Sequence, residues 1–105
     1  LTILPGQISN IHELVKTYRI KLRADVPIMY VKVFKNSDDK YYAVPNYWIG
    51  TDTIDAYVFN PDLHDSLEDA MDEIFRRGLL HFNSKSSYHK IRYNEHYYED
   101  LEKVS

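Results

Sequence analysis

The residues of this chain that could carry acid–base chemistry lie mainly near its C-terminal end. Three neighbouring pairs combine an imidazole or a guanidinium group with a phenol: Tyr88-His89, Arg92-Tyr93 and His96-Tyr97. Such groups can transfer protons and hold a phosphate, which is the chemistry that a small ribonuclease needs. No nucleophile elbow, phosphate-binding loop or paired-carboxylate motif accompanies them. The sequence therefore favours a non-enzymatic protein and assigns no catalytic residue.

The histidines do not form a metal-binding motif. None of the five pairs with another at the i, i+4 helical spacing or the tight spacing of common zinc sites, and the chain has no cysteine. A site assembled by folding from His81, His89 and His96 is the alternative that remains open. The sequence predicts neither a metal nor a cofactor.

Tyrosine is the residue type that stands out in the composition. Ten of the 105 residues are tyrosine, and they cluster over 41–57 and 88–98. Because tyrosine combines a large apolar ring with a polar hydroxyl, it suits half-buried surfaces and binding faces. The length predicts a single domain over residues 1–105. The absence of cysteine and of long apolar runs favours a cytoplasmic protein with no membrane contact.

Local patterns predict an α+β fold with an antiparallel sheet of three to four strands and two to three helices. The first element is predicted as a helix over about 11–23, with a strand over 18–22 as the competing interpretation. The later elements are strands at 28–34, 41–44 and 54–59, and the segment 47–49 would extend the sheet after a bend. A helix over 63–75 would be capped by Asp65 and expose its acidic residues, including Glu73, while its apolar stripe packs on the sheet. The stripe consists of Leu63, Leu67, Ala70, Met71, Ile74 and Phe75. Short strands at 79–82 and 89–93 follow, and then a terminal helix over 95–104 that Asn94 would cap. The predicted order is α-β-β-β-α-(β)-α.

The middle of the chain resembles the sheet-plus-helix core of small antitoxin domains of the HicB type. The resemblance consists of the hairpin, the third strand and the helix start Ser66-Leu67-Glu68-Asp69-Ala70. Cap chemistry of this kind is common to many folds, so it indicates no family.

Strand alternation predicts which side of the sheet would bind a partner. A two-residue turn at Ser37-Asp38 would pair Phe34 with Tyr41 and Val33 with Tyr42. The aliphatic side chains then lie under the helix, and the aromatic ones face outward. The predicted partner-binding residues are Tyr30, Lys32, Phe34, Tyr41, Asp55 and Tyr57. A one-residue slip of register would exchange the two faces, and a covering helix would turn the aromatic face into a second core layer.

Three functions follow from these surfaces. The first is a small binding or regulatory module that engages a protein partner, or a second copy of itself, through the aromatic face. The alternative is nucleic-acid binding by the basic and aromatic segment 76–93, through Arg76, Arg77, Lys85, Lys90 and Arg92. The third is a small inhibitor or immunity-type protein, because the segment 52–73 holds eight acids and no lysine or arginine and could dock a basic surface.

Overall fold

The structure is a computed structural model that describes residues 12–23, 26–51, 54–79 and 89–98. Within these ranges the elements are β1 (His12–Ile20), β2 (Met29–Asn36), β3 (Tyr41–Pro45), β4 (Tyr47–Thr51), α1 (Leu67–Glu73), a π-helical turn (Ile74–Gly78) and β5 (His89–Tyr93). All strand pairs are antiparallel. The predicted α+β class is therefore correct in its coarse form, but the element order and the helix count agree only in part.

The strands in the described residues form two antiparallel sheets. The first has the order β1-β2-β3, and the second pairs β4 with β5. Asn46 stands where the chain leaves the first sheet: its N–H donates to the Tyr30 carbonyl and its Oδ1 accepts from the Tyr30 N–H, both at 2.9 Å. Asn94 then donates from its N–H to the Asn46 carbonyl at 2.9 Å and from Nδ2 to the Pro45 carbonyl at 2.8 Å. These two asparagines tie the sheets together.

The predicted first helix is wrong, because the segment 11–23 contains strand β1. Tyr18 and Ile20 lie opposite Val31 and Met29 of β2, on the side of the core. The apolar positions fit helical spacing better than strand alternation, but backbone pairing with β2 decides for the strand because the edge of β2 would otherwise be left without hydrogen-bond partners. The register shifts between Leu14 and Lys16, which marks a β-bulge.

The β2–β3 hairpin exists as predicted, but its register differs by one residue. Phe34 pairs with Tyr42, not with Tyr41, because the loop holds three residues, 37–39. Asp39 adopts a positive φ of 59°, which a three-residue hairpin loop requires at its last position. The Asn36 carboxamide stabilises this loop by accepting from the N–H groups of Asp38 (2.9 Å) and Lys40 (3.0 Å).

The predicted third strand over 54–59 is also wrong. Residues 54–60 have no regular structure, and the strand that follows the hairpin is β4, which includes the predicted 47–49 but belongs to the second sheet. β4 is buried at every position and pairs with β5, which forms over the predicted 89–93. Of the predicted strand 79–82, Leu79 lies in a turn and the rest lies outside the described residues.

The main helix forms where the apolar stripe predicts it, but it is shorter. Ser66, not Asp65, is the N-cap, and its hydroxyl accepts from the Asp69 N–H at 3.1 Å. Of the predicted stripe, Leu63 and Phe75 are exposed. Near the C-terminus, residues 95–98 are helical and Asn94 caps them by accepting from the His96 N–H, while 99–104 lie outside the described residues.

The core lies between α1 and the first sheet and continues into β4. Its fully buried side chains include Met29, Val31 and Val33, which the sequence predicted, together with Tyr47, Ile49 and Ile74. Across the described residues, no helix is both long and apolar enough to cross a membrane.

Candidate functional site

The side of the first sheet that faces away from α1 carries the aromatic residues of β2. Tyr30, Lys32 and Phe34 share this side, as the alternation predicts. The one-residue change of register places Tyr42 beside them, with its ring stacked on Phe34 at a centroid distance of 5.3 Å. Tyr41, predicted as an anchor on this side, packs instead against the core on the opposite side. The predicted position of Tyr41 on the aromatic side is therefore wrong, and Tyr42 takes that position.

The centre of this aromatic side is covered by the segment that follows β5. Lys32 is 4% exposed, donates from Nζ to the Tyr97 carbonyl at 2.6 Å and lies 4.1 Å from the centroid of the Tyr97 ring. Burial, followed by the nearby phenols of Tyr98 and Tyr30, raises the pKa of Tyr97. The Lys32–Tyr97 contact thus forms a closed centre, and Phe34 beside it is also buried.

Two tyrosines remain open to solvent beside this centre. Tyr30 is 38% exposed and Tyr98 is 45% exposed, and the Tyr98 ring lies edge-on to Tyr97 at 5.1 Å. We call Tyr30, Tyr97 and Tyr98 the tyrosine surface. The cluster 88–98 signalled aromatic content in the sequence, but only the tertiary structure brings Tyr97 and Tyr98 to β2.

Asp55 and Tyr57, the other two predicted anchors, are not part of this sheet face. They lie in the irregular segment 54–60, where the Tyr57 hydroxyl accepts from Arg77 Nη2 at 3.2 Å. Asp55 is exposed. Because no third strand forms there, the two residues cannot extend the aromatic face as predicted.

Glu73 is a buried carboxylate, although the sequence placed it on the solvent-exposed side of the helix. Its side chain is 2% exposed and accepts from the Asp62 N–H (3.1 Å), His64 Nε2 (2.9 Å) and Arg77 Nη1 (2.7 Å). Hydrogen bonds to Tyr57 and then to Glu73 raise the pKa of Arg77. The i, i+4 spacing of Glu73 and Arg77 was the signal for this pair. The cluster fixes residues 57–64 to α1 and to the π-helical turn.

The basic segment predicted for nucleic acid is divided between two elements. Arg76 donates from Nε to Asp72 at 2.8 Å, and Arg77 pairs with Glu73 and with Asp62, the latter at 3.0 Å. Lys90 and Arg92 are exposed on the same side of β5, and Lys85 lies outside the described residues. Both arginines of the segment 76–77 are therefore engaged by carboxylates of the acidic block.

The histidines in the described part of the chain do not converge on one another. His89 is buried and accepts from Arg23 Nη2 at 3.0 Å, while His96 is exposed on the C-terminal helical turn. His81 and Tyr88 lie outside the described residues. Within those residues, no group of three or more His, Asp or Glu side chains is placed to hold a metal ion.

The acidic block 52–73 is largely neutralised where the structure describes it. Asp62, Asp72 and Glu73 pair with Arg77 or Arg76, and Asp65 pairs with Lys40. The Lys40 ammonium group lowers the pKa of Asp65, and the Asp65 carboxylate raises that of Lys40. Glu68 and Asp69 have no ion pair within the described residues. Most of the described acids in the block thus form ion pairs within the chain, whereas the first turn of α1 keeps its negative charge.

An open groove lies on the opposite side of the sheet from the tyrosine surface. It has a volume of about 360 Å³ and is lined by Tyr18, Leu67, Glu68, Met71, Asp72 and Phe75. Phe75 is 51% exposed although the sequence predicted it in the core. Phe75 and the tyrosine surface are therefore accessible on opposite sides of the first sheet.

Comparison with known proteins gives no family for this chain. No protein-family model matches the sequence, and no curated protein or solved structure was found to be similar to it.

Proposed function

We propose that this domain is a small non-enzymatic binding module that engages a protein partner, or a second copy of itself, through the tyrosine surface. The observation that carries the proposal is the exposure of Tyr30 and Tyr98 beside the closed Lys32–Tyr97 contact. Accessible tyrosine rings beside a well-packed centre that is closed to water resemble interface hot spots, where tyrosine is enriched.

The backbone beneath these rings is held in place, which favours binding. Tyr30 exchanges two hydrogen bonds with Asn46, and Asn46 in turn accepts from Asn94 at the start of the helical turn that carries Tyr98. Ordering side chains and loops on association costs roughly 0.5–1.5 kcal/mol per immobilised flexible side chain. Tyrosine has few rotatable bonds, so a tyrosine surface fixed in this way binds with little of that cost.

Lys32 takes a different role from the one that the sequence suggested. Its ammonium group donates to the Tyr97 carbonyl inside the domain, so it orders the surface and is not itself available to a partner. Arg19, the exposed cross-strand neighbour of Tyr30, is the cation that a partner would meet beside the rings. Tyrosine with a neighbouring arginine is a combination enriched at protein interfaces.

The test is affinity capture with a Tyr30→Ser/Tyr98→Ser double variant, performed with and without nuclease. We expect the variant to lose a nuclease-resistant protein partner, with affinity falling roughly 30-fold or more if each ring contributes about 1 kcal/mol. Its melting temperature should stay close to that of the wild type because both rings are already exposed. Sedimentation of the purified domain reports self-association through the same residues.

The matched control is Phe75→Ser, which removes an exposed ring from the other side of the sheet. This variant should keep the partner. Partner binding that survives Tyr30→Ser/Tyr98→Ser would contradict the proposal, as would capture of material that nuclease releases.

A further inference from the structure

The groove beside Phe75 exists because α1 is too narrow to cover the whole sheet. The helix packs over β3 and β2, and β1 extends beyond it. Tyr18, Ile20 and Leu22 are consequently only partly buried, although they face the core side. Within the described residues, the inner side of β1 has no element packed over its full length.

The groove has an apolar lining and an acidic helix side. Leu67, Met71 and Phe75 follow one another at four-residue spacing along α1 and the π-helical turn, and Tyr18 forms the opposite wall. Both charged residues of the lining, Glu68 and Asp72, are acidic. An exposed apolar patch bounded by polar residues marks an interaction site.

The charges around the groove specify what kind of segment fits. Asp72 is already paired with Arg76, and the Lys16 ammonium group lies 4.8 Å from the centroid of the Tyr18 ring on the strand side. Glu68, together with Asp69 next to it, has no ion pair in the part of the chain that the structure describes. A cation of a partner would therefore meet uncompensated negative charge on the helix side only.

We propose that this groove is a second docking site, and that it binds a protein segment in which lysine or arginine stands next to large apolar side chains. The apolar side chains enter between Tyr18 and Phe75, and the cation meets Glu68. This inference rests on the groove and its charge, so it is independent of the tyrosine surface. Apolar anchors in a groove with complementary charge at the rim are a recurrent mode of peptide recognition.

The experiment uses a display library of random peptides of about twelve residues, selected on the wild-type domain and counter-selected on Phe75→Ser. We expect the retained peptides to be enriched in lysine or arginine beside leucine, isoleucine or phenylalanine. The enriched peptide is then labelled and its affinity measured by fluorescence anisotropy at low and moderate salt. Phe75→Ser should weaken it about tenfold or more, since a buried aromatic anchor is worth at least 1.4 kcal/mol.

Two further variants decide between this site and others. Glu68→Lys should weaken the same peptide and make its affinity insensitive to salt, whereas Tyr30→Ser/Tyr98→Ser should bind it as the wild type does. Phe75 and Glu68 are exposed, so both variants should fold, as circular dichroism would verify. Enriched peptides that lack basic residues, or that bind Phe75→Ser equally well, would overturn the proposal, as would a selection that yields no peptide depending on Phe75.

Discussion

Replacement of Glu73 by alanine tests whether the buried carboxylate holds residues 62–64 to α1. The substitution removes the acceptor for the Asp62 N–H, for His64 Nε2 and for Arg77 Nη1. Breaking a buried ion pair by removing one partner costs roughly 3–5 kcal/mol, because the groups left behind lose their partner. We therefore expect a large loss in the free energy of unfolding.

The geometry places the expected loss at the lower end of that range. The side chains of Arg77 and His64 are 32% and 19% exposed, so water can partly replace the carboxylate. Arg77 also keeps its contact with Asp62 at 3.0 Å. The expected destabilisation by Glu73→Ala is therefore about 3 kcal/mol, which is a substantial fraction of the roughly 5–15 kcal/mol typical of a domain. Glu73→Gln, which preserves the volume and one acceptor oxygen, should cost about half as much.

Urea denaturation followed by the fluorescence of Trp48 provides the assay, since this single tryptophan is buried in the core. Glu68→Ala on the exposed side of the same helix is the control and should stay within about 0.5 kcal/mol of the wild type. A double-mutant cycle with Arg77→Ala should give a coupling energy of roughly 1–3 kcal/mol. A loss below about 1 kcal/mol for Glu73→Ala would refute the reasoning, because it would mean that the carboxylate is hydrated.

Two other predictions concern the core and the backbone. Burial, and secondarily the Tyr93 phenol, raises the pKa of Tyr47 to about 12, and its hydroxyl donates to the Pro27 carbonyl at 2.5 Å. Tyr47 therefore contributes stability that is present below pH 10 and lost as the pH rises towards 12. The difference in the free energy of unfolding between the wild type and Tyr47→Phe should shrink by about 2–3 kcal/mol across that window, as measured by urea titrations. Gly50→Ala should prevent stable folding, because a Cβ atom would lie 2.5 Å from the backbone N of Ala56. A melting temperature equal to that of the wild type would contradict this close approach. Gly78→Ala is its control, since the nearest atom to that Cβ is a side-chain methyl at 3.6 Å, and its melting temperature should be unchanged or slightly raised.

Elements whose signals are local were predictable from the sequence. The β-branched and aromatic run of β2 makes a strand in any antiparallel context, and the apolar stripe around Ala70 makes a helix. Asn94 was predicted as a cap from its residue type, and its side chain accepts from the backbone N–H two residues later. In each case the deciding interaction lies within a few residues of chain.

Elements that depend on distant partners were not predictable. The spacing of apolar residues over 11–23 favours a helix, but pairing with β2 makes residues 12–20 a strand. The left-handed conformation of Asp39 accommodates a third residue in the hairpin loop. This loop length sets the register and places Tyr42, instead of Tyr41, beside Phe34. Since alternate residues of a strand point to opposite sides, that one residue altered the composition of the candidate site.

The sequence by itself determined the α+β composition, the outward position of Tyr30 on β2 and the negative charge at the start of α1. The tertiary structure alone decided that Tyr97 closes over Lys32, that Glu73 is buried among Asp62, His64 and Arg77, and that Phe75 borders an open groove. The physical reason is that periodicity and capping act within one element. Burial of a charge or exposure of a ring depends instead on which distant element packs against it.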